Sequence, residues 1–157
     1  MGIVGSKRGY SLVEVVTVLG MMGILTAMAT PLVTTLVSEA NLISVQREVM
    51  SALYIGRSSA IANNAPRLVI ITPPALPGSG TLIQIQDQSG NRFYNRNLKA
   101  YGPNMTVTGP NPSDPTTITY DGRGLLTPAT SITLSIGNGI HQTKTVTVYP
   151  TGKPSAS

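Results

Sequence analysis

Glu14 is the residue best placed for chemistry, because its surroundings make it expensive. It lies near the start of a run, residues 12–37, with no other ionisable side chain, and Lys7, Arg8, Gly9 and Tyr10 stand just before that run. An unpaired carboxylate in lipid costs on the order of a few kcal/mol. Ion pairing with a cation that arrives from elsewhere is therefore the chemistry to expect. Catalysis has little to build on. The chain has no Cys and one His, His141, which falls beside Gly139 in a turn. Disulfides, thiolate metal sites and His-based clusters are thereby excluded. Asp87, Asp114 and Asp121 are too far apart to outline a calcium loop, and no Gly-x-Ser-x-Gly elbow is present. No enzyme, metal or cofactor is expected.

The elements that must carry Glu14 follow from composition. Residues 12–37, at about 1.5 Å per residue, reach roughly 39 Å, enough to cross about 30 Å of hydrocarbon. Lys7 and Arg8 precede the run and the next cation is Arg47, so the N-terminus is expected on the cytoplasmic side and the remainder outside. Gly20 and Gly23 allow another helix to approach closely, and Pro31 removes a backbone donor and should loosen the helix nearby. Beyond the run, Leu36, Ala40, Ile43, Met50, Leu53, Tyr54 and Ile61 recur at helical spacing. They predict an amphipathic extension lying on a domain and ending at Asn63-Asn64-Ala65-Pro66.

After residue 62 the period changes to that of strands. Arg67–Thr72, Thr81–Asp87, Arg92–Asn95, Met105–Thr108, Thr116–Tyr120, Ser131–Ile136 and Lys144–Tyr149 are the expected strands, divided by Gly-, Pro- and Asn-rich turns. A short disordered tail is expected from Pro154. In the basic stretch Arg92–Lys99, Phe93 and Tyr94 are expected to pack inward, although aromatics among cations could also stack bases. The formal charge of +5 includes Lys7 and Arg8; the remaining excess is mild and does not compel a nucleic-acid partner.

The N-terminal block reads three ways. It fits a plain membrane anchor. It fits a secretory signal with Lys7-Arg8 as basic region and Ala27-Met28-Ala29 as cleavage site, releasing a soluble β protein. It also resembles the type IV prepilin leader, on the motif Arg8-Gly9-Tyr10-Ser11-Leu12-Val13-Glu14. Tyr10 stands where most relatives carry Phe. The resemblance implies that a prepilin peptidase cuts between Gly9 and Tyr10 and methylates the new amine of Tyr10. It implies that Glu14, fifth in the mature chain, faces the N-terminal ammonium of a neighbouring subunit, and that Pro31 marks a helix section able to stretch in the filament. Thr117-Ile118-Thr119-Tyr120-Asp121-Gly122-Arg123-Gly124, with the closing strand and Gly152-Lys153, is similar to the GspH/FimT group of minor pilins and pseudopilins. The bland account of Asp121–Gly124 is a tight turn needing glycine.

The expected architecture is α+β, the pilin lollipop. A leader, residues 1–9, is removed. A helix, residues 10–62, has residues 12–37 in the membrane or filament core and its second half on a small antiparallel β domain, residues 63–157. The expected role is a structural subunit, a minor one, of a type IV pilus or type II secretion pseudopilus. It would be made as a single-pass inner-membrane precursor and then join a periplasmic or extracellular filament. Partners are the peptidase, other pilin or pseudopilin subunits and the membrane. A DNA-binding role in uptake is the alternative, through Arg123, Lys144 and Lys153, with Arg92, Arg96 and Lys99 in support. Against it, Gly152-Lys153-Pro154 lacks the second arginine of the DNA-binding members.

Overall fold

The computed structural model describes residues 10–76, 78–102, 104–139 and 142–157; His141 and the leader with its Gly9 lie outside them. The chain divides into two units, Met1–Val37 and Ser38–Ser157. One helix, α1 (Leu12–Asn63), contributes to both.

In the first unit every described side chain from Tyr10 to Val37 is exposed, with Leu12 at 79% and Leu25 at 67%. An 18-residue window of α1 near the N-terminus reaches a mean hydropathy of 2.0. Length and composition therefore suffice to cross a membrane. Its hydroxyls are spent locally. Thr17 Oγ1 donates to the Val13 carbonyl at 2.8 Å and Thr26 Oγ1 to that of Met22 at 2.8 Å, so these groups carry no unsatisfied donor into an apolar solvent. A Cβ on Gly20 or Gly23 would meet nothing within 4 Å. The chain's own packing does not require either glycine.

In the second unit, residues 38–63 of α1 lie on two antiparallel sheets. The first has the order β3-β2-β1-β5-β6 and the second β4-β7-β8-β9. The strands are β1 (Arg67–Thr72), β2 (Leu82–Asp87), β3 (Arg92–Asn97), β4 (Thr106–Thr108), β5 (Thr116–Tyr120), β6 (Leu126–Thr127), β7 (Ile132–Gly137), β8 (Thr143–Val148) and β9 (Pro154–Ala156). Alternation sets which face each strand buries. Val69 and Ile71, Ile83 and Ile85, Ile118 and Tyr120, Leu134 and Ile136, and Val146 and Val148 all enter one core, while Thr117, Thr133 and Ser135 between them stay exposed.

The helix face that closes this core is not the one its spacing suggests. Leu42, Val45, Val49, Ala52, Leu53 and Ala60 are buried. Of the expected stripe Leu53 is buried and Met50 packs against the edge of the core. Tyr54 and Ile61 are each 49% exposed and Leu36 58%; Ala40 is exposed, and Ile43 and Met50 are half-buried. The physical reason is that the helix is apolar on two faces, and the sheets select the one with small residues at closest approach. A Cβ on Gly56 would stand 2.5 Å from Val69 Cγ2 and 3.6 Å from the Tyr120 ring. Only glycine lets α1 lie that close.

Three further expectations are corrected. The supposed tail from Pro154 is β9, paired with β8 through Val146↔Ala156, Thr147↔Ser155 and Val148↔Pro154. A tight turn makes that return: the Gly152 N–H donates to the Tyr149 carbonyl at 2.8 Å, and Gly152 has φ 76°. Gln46 Nε2 then donates to the carbonyls of Thr145 and Ser157 at 3.1 and 3.3 Å, holding both strands to α1. The two-residue β6 was not expected at all, nor was the 3-10 turn Leu98–Tyr101, which buries Leu98. Finally, Tyr94 is partly buried but Phe93, next to it on edge strand β3, is 50% exposed. Successive strand residues point to opposite faces, and Phe93 instead carries the Arg67 guanidinium 5.3 Å from its ring centroid.

Candidate assembly surface

Glu14 sits in the first turn of α1, with Tyr10 and Ser11 just before it and the Val15 N–H donating to the Ser11 carbonyl at 3.2 Å. Tyr10, Glu14, Val15, Val18 and Leu19 line one shallow depression on this helix. Tyr10 and Glu14 therefore border the same hollow. Among the described residues Glu14 has no ion-pair partner. Four of the chain's carboxylates are held by their own neighbours. Glu48 accepts from Tyr94 Oη at 2.8 Å and pairs with Arg96 Nε at 3.1 Å. Asp87 accepts from Asn91 N at 2.9 Å, Asp114 from Asn111, and Asp121 from Arg123. Glu14 and Glu39, both on α1, are the two acids without such a partner among the described residues. Position 31 lies inside the continuous α1.

The second motif proves to be half of a joint. Asp121 Oδ1 accepts from the N–H groups of Arg123 and Leu125, both at 2.9 Å, and Oδ2 accepts from Arg123 Nε at 3.1 Å. These bonds, led by the Leu125 N–H, hold the Asp121 carboxyl below its ordinary range. Arg57 reaches down from α1, with Nε donating to the Gly124 carbonyl at 3.0 Å and a second nitrogen to that of Thr151 at 3.3 Å. A Cβ on Gly152 would stand 1.9 Å from the Gly124 oxygen. The Gly122-Arg123-Gly124 and Thr151-Gly152-Lys153 turns therefore pack on each other under Arg57. Sequence reading singled out both turns but missed Arg57, which ties them to the helix; its sole signal was a cation on a face otherwise turned inward.

The cations proposed to touch DNA are only partly gathered. Arg123 and Lys153 stand on the two adjoining turns and are exposed, but Arg123 is in an ion pair with Asp121 at 3.0 Å. Lys144 lies near the far end of β8, opposite Ile136, while Arg92 and Arg96 are on β3 in the other sheet and Lys99 follows in the 3-10 turn. Arg96 is occupied by Glu48. No grouping of three His, Cys, Asp or Glu that could hold a metal occurs among the described residues.

A family model described as Type II transport protein GspH matches residues 46–152. The chain belongs to that family. The matched span runs from Gln46 to Gly152 and takes in the whole joint built from Arg57, Gly124 and Gly152. The fold of this GspH-family chain is also that of a solved pilin. The type IV minor pilin FimU of Pseudomonas aeruginosa strain PAO1, in space group P21, superposes with a TM-score of 0.58 at 17% identity, covering 76% of this chain and 90% of that one. Its P65 crystal form gives 0.54 at 17% identity, covering 73% and 90%. At this identity the likeness is one of fold. No curated protein sequence matches the chain significantly.

Proposed function

We propose that this GspH-family chain is a minor subunit of a type IV pilus or type II secretion pseudopilus. It is made as an inner-membrane prepilin, cut between Gly9 and Tyr10, methylated on the Tyr10 amine and assembled through its N-terminal helix. The observation that carries the reading is the helix of the first unit: apolar, exposed along its described length, and bearing one unpartnered carboxylate. Such a surface is stable in lipid or against other helices, not in water. Cleavage creates an ammonium at Tyr10, and stacking of subunits brings one copy's ammonium to another's Glu14. The carboxylate's cost then becomes a preference for one axial register. The role is structural and the partners are the peptidase, the membrane and other subunits.

Mass spectrometry of the mature N-terminus tests the processing. Methylated Tyr10 is expected; a chain beginning at Thr30 would mark a secreted soluble protein instead. Glu14→Ala is expected to be cut normally and to enter filaments poorly, and normal incorporation would refute the register role.

A second reading, weak contact of Arg123 and Lys153 with DNA phosphates, is favoured only by the adjacency of their two turns. It requires a mobility shift of the fragment from residue 38 that weakens as salt rises.

A further inference from the structure

The two sheets end in four edges, and three of these are closed by the chain's own groups. At β6 the Leu126 N–H donates to the Pro150 carbonyl at 3.0 Å, and at β4 the Val107 N–H donates to Thr81 Oγ1 at 2.9 Å. β9 places Pro154, which has no N–H, at an outward backbone position. β3 is left. Every residue of it but Tyr94 is exposed, and among the described residues no strand lies beyond it. Its register fixes what it offers. The Leu98 N–H donates to the Thr81 carbonyl at 2.9 Å, and bonded pairs recur from there at Ile83↔Arg96 and Ile85↔Tyr94. The Asn95 N–H and C=O therefore face away from β2, as does the Asn97 N–H. Arg92 and Lys99 flank this edge without an ion-pair partner among the described residues, while Arg96 shares Glu48. Two exposed apolar side chains mark its ends, Phe93 at 50% and Leu76 at 70%. The Leu76 loop is tied to the strand: Ser79 Oγ donates to the Leu76 carbonyl at 2.8 Å, and Asn97 Nδ2 donates to the Ser79 carbonyl at 3.3 Å.

We propose that β3 is a strand-addition site for an extended segment of a different protein, one in which carboxylates alternate with apolar residues. Backbone bonds to Asn95 and Asn97 supply the docking. Alternate side chains of the added strand fall beside Arg96, and the intervening ones beside Phe93, with Leu76 meeting the apolar end. A second copy's β3 is the wrong occupant. It would set the same cations about 5 Å from these, like charge against like. Cations of this kind keep identical edges apart and leave the edge open to a strand of opposite charge. The site lies wholly in the second unit, so it stands or falls separately from cleavage at Gly9 and pairing at Glu14.

The probe is a capped, fluorescent heptapeptide alternating valine with glutamate, titrated into the full-length chain in detergent. It should bind about tenfold tighter than its valine–lysine counterpart, the effect expected of two or three partly exposed ion pairs, and more weakly as salt rises. Arg92→Glu with Lys99→Glu should remove most of that preference. Amide exchange of Asn95 and Asn97 should slow at least about fivefold when the peptide is bound. Asn95→Pro deletes an N–H that β2 does not use, a change an edge tolerates; it should abolish binding, whereas Asn95→Ala should retain it. Equal binding of the two peptides, or none, would overturn the proposal. So would binding without protection of the Asn95 amide, which needs no variant to fold, or an Asn95→Pro chain that melts and binds as the native one does. Protection of that amide on raising the protein concentration alone would show self-pairing instead. Protection by a DNA oligonucleotide but not by the peptide would show a nucleic-acid surface and overturn it equally.

Discussion

Gly152 and Asp121 show how single residues carry the second unit. Gly152 combines a φ of 76° with an approach that puts a Cβ 1.9 Å from the Gly124 carbonyl oxygen. Gly152→Ala must both strain the backbone and push the two turns apart, costing about 2–4 kcal/mol in denaturant unfolding. Gly90→Ala, also at positive φ but with nothing within 4 Å, should cost only about 1 kcal/mol. Asp121 sets a pH dependence whose sign follows from its depressed pKa. The stabilisation is present above the ordinary carboxylate value of 3.8 and is lost as pH falls through the lower folded value. Thermal melting followed downward from pH 5 should show that loss in the native chain, and Asp121→Asn should flatten it. Tyr120 makes a third case. Its hydroxyl is buried without a partner among the described residues, and burial pushes its pKa well up. Tyr120→Phe should therefore leave stability unchanged or slightly raised, since it deletes a desolvated group that pairs with nothing.

At the scale of elements, Glu48 governs the β3 edge. It reaches from α1 to Tyr94, Arg96 and the Tyr101 hydroxyl at 2.8, 3.1 and 3.5 Å, and burial together with this carboxylate pushes the Tyr94 hydroxyl up to about 12. Glu48→Ala should cost about 1–3 kcal/mol and speed amide exchange in β3 and the 3-10 turn more than in β1. Slow exchange throughout β3 in that variant would show that strand pairing alone suffices. Most elements were legible in the sequence. β1 and β5 fall at their expected bounds, because Arg67–Thr72 and Thr116–Tyr120 are β-branched runs closed by Pro or Gly. β9 was illegible because Pro154, Ser155 and Ala156 carry no strand propensity; the ladder to β8 and the buried Pro154 make it a strand. The helix face was misread because periodicity reports an apolar stripe without saying which body covers it. Glu14 and the paired glycine turns could be read as special from cost and composition, but the closure of those turns around Arg57 depends on contacts 67 and 94 residues apart.

At the scale of the whole molecule, the two units answer to different solvents. Ser38–Ser157 has its own core, with Leu42, Leu53, Ile83, Ile118 and Leu134 all buried, whereas the described side chains of residues 12–37 are all exposed. A fragment beginning at Ser38 should fold cooperatively and remain soluble, while the full chain needs detergent or lipid. Within that fragment Leu53→Ala should cost about 2–5 kcal/mol, and Tyr54→Ala, on the opposite face, well under 1 kcal/mol in the isolated fragment. A large loss from Tyr54→Ala there would mean that the outward face supports the fold itself.

Gln46, Glu48 and Arg57 reach from one helix to β8 and β9, to β3, and to the two glycine turns. Their attachments lie side by side along α1 rather than one behind another. A tension drawn along the helix axis would load them in parallel as shear, so that all must fail together instead of unzipping one by one. A domain hung in this way resists being stripped from its stem far better than equilibrium stability would indicate. Rupture force in single-molecule pulling should fall steeply when any one of the three is removed.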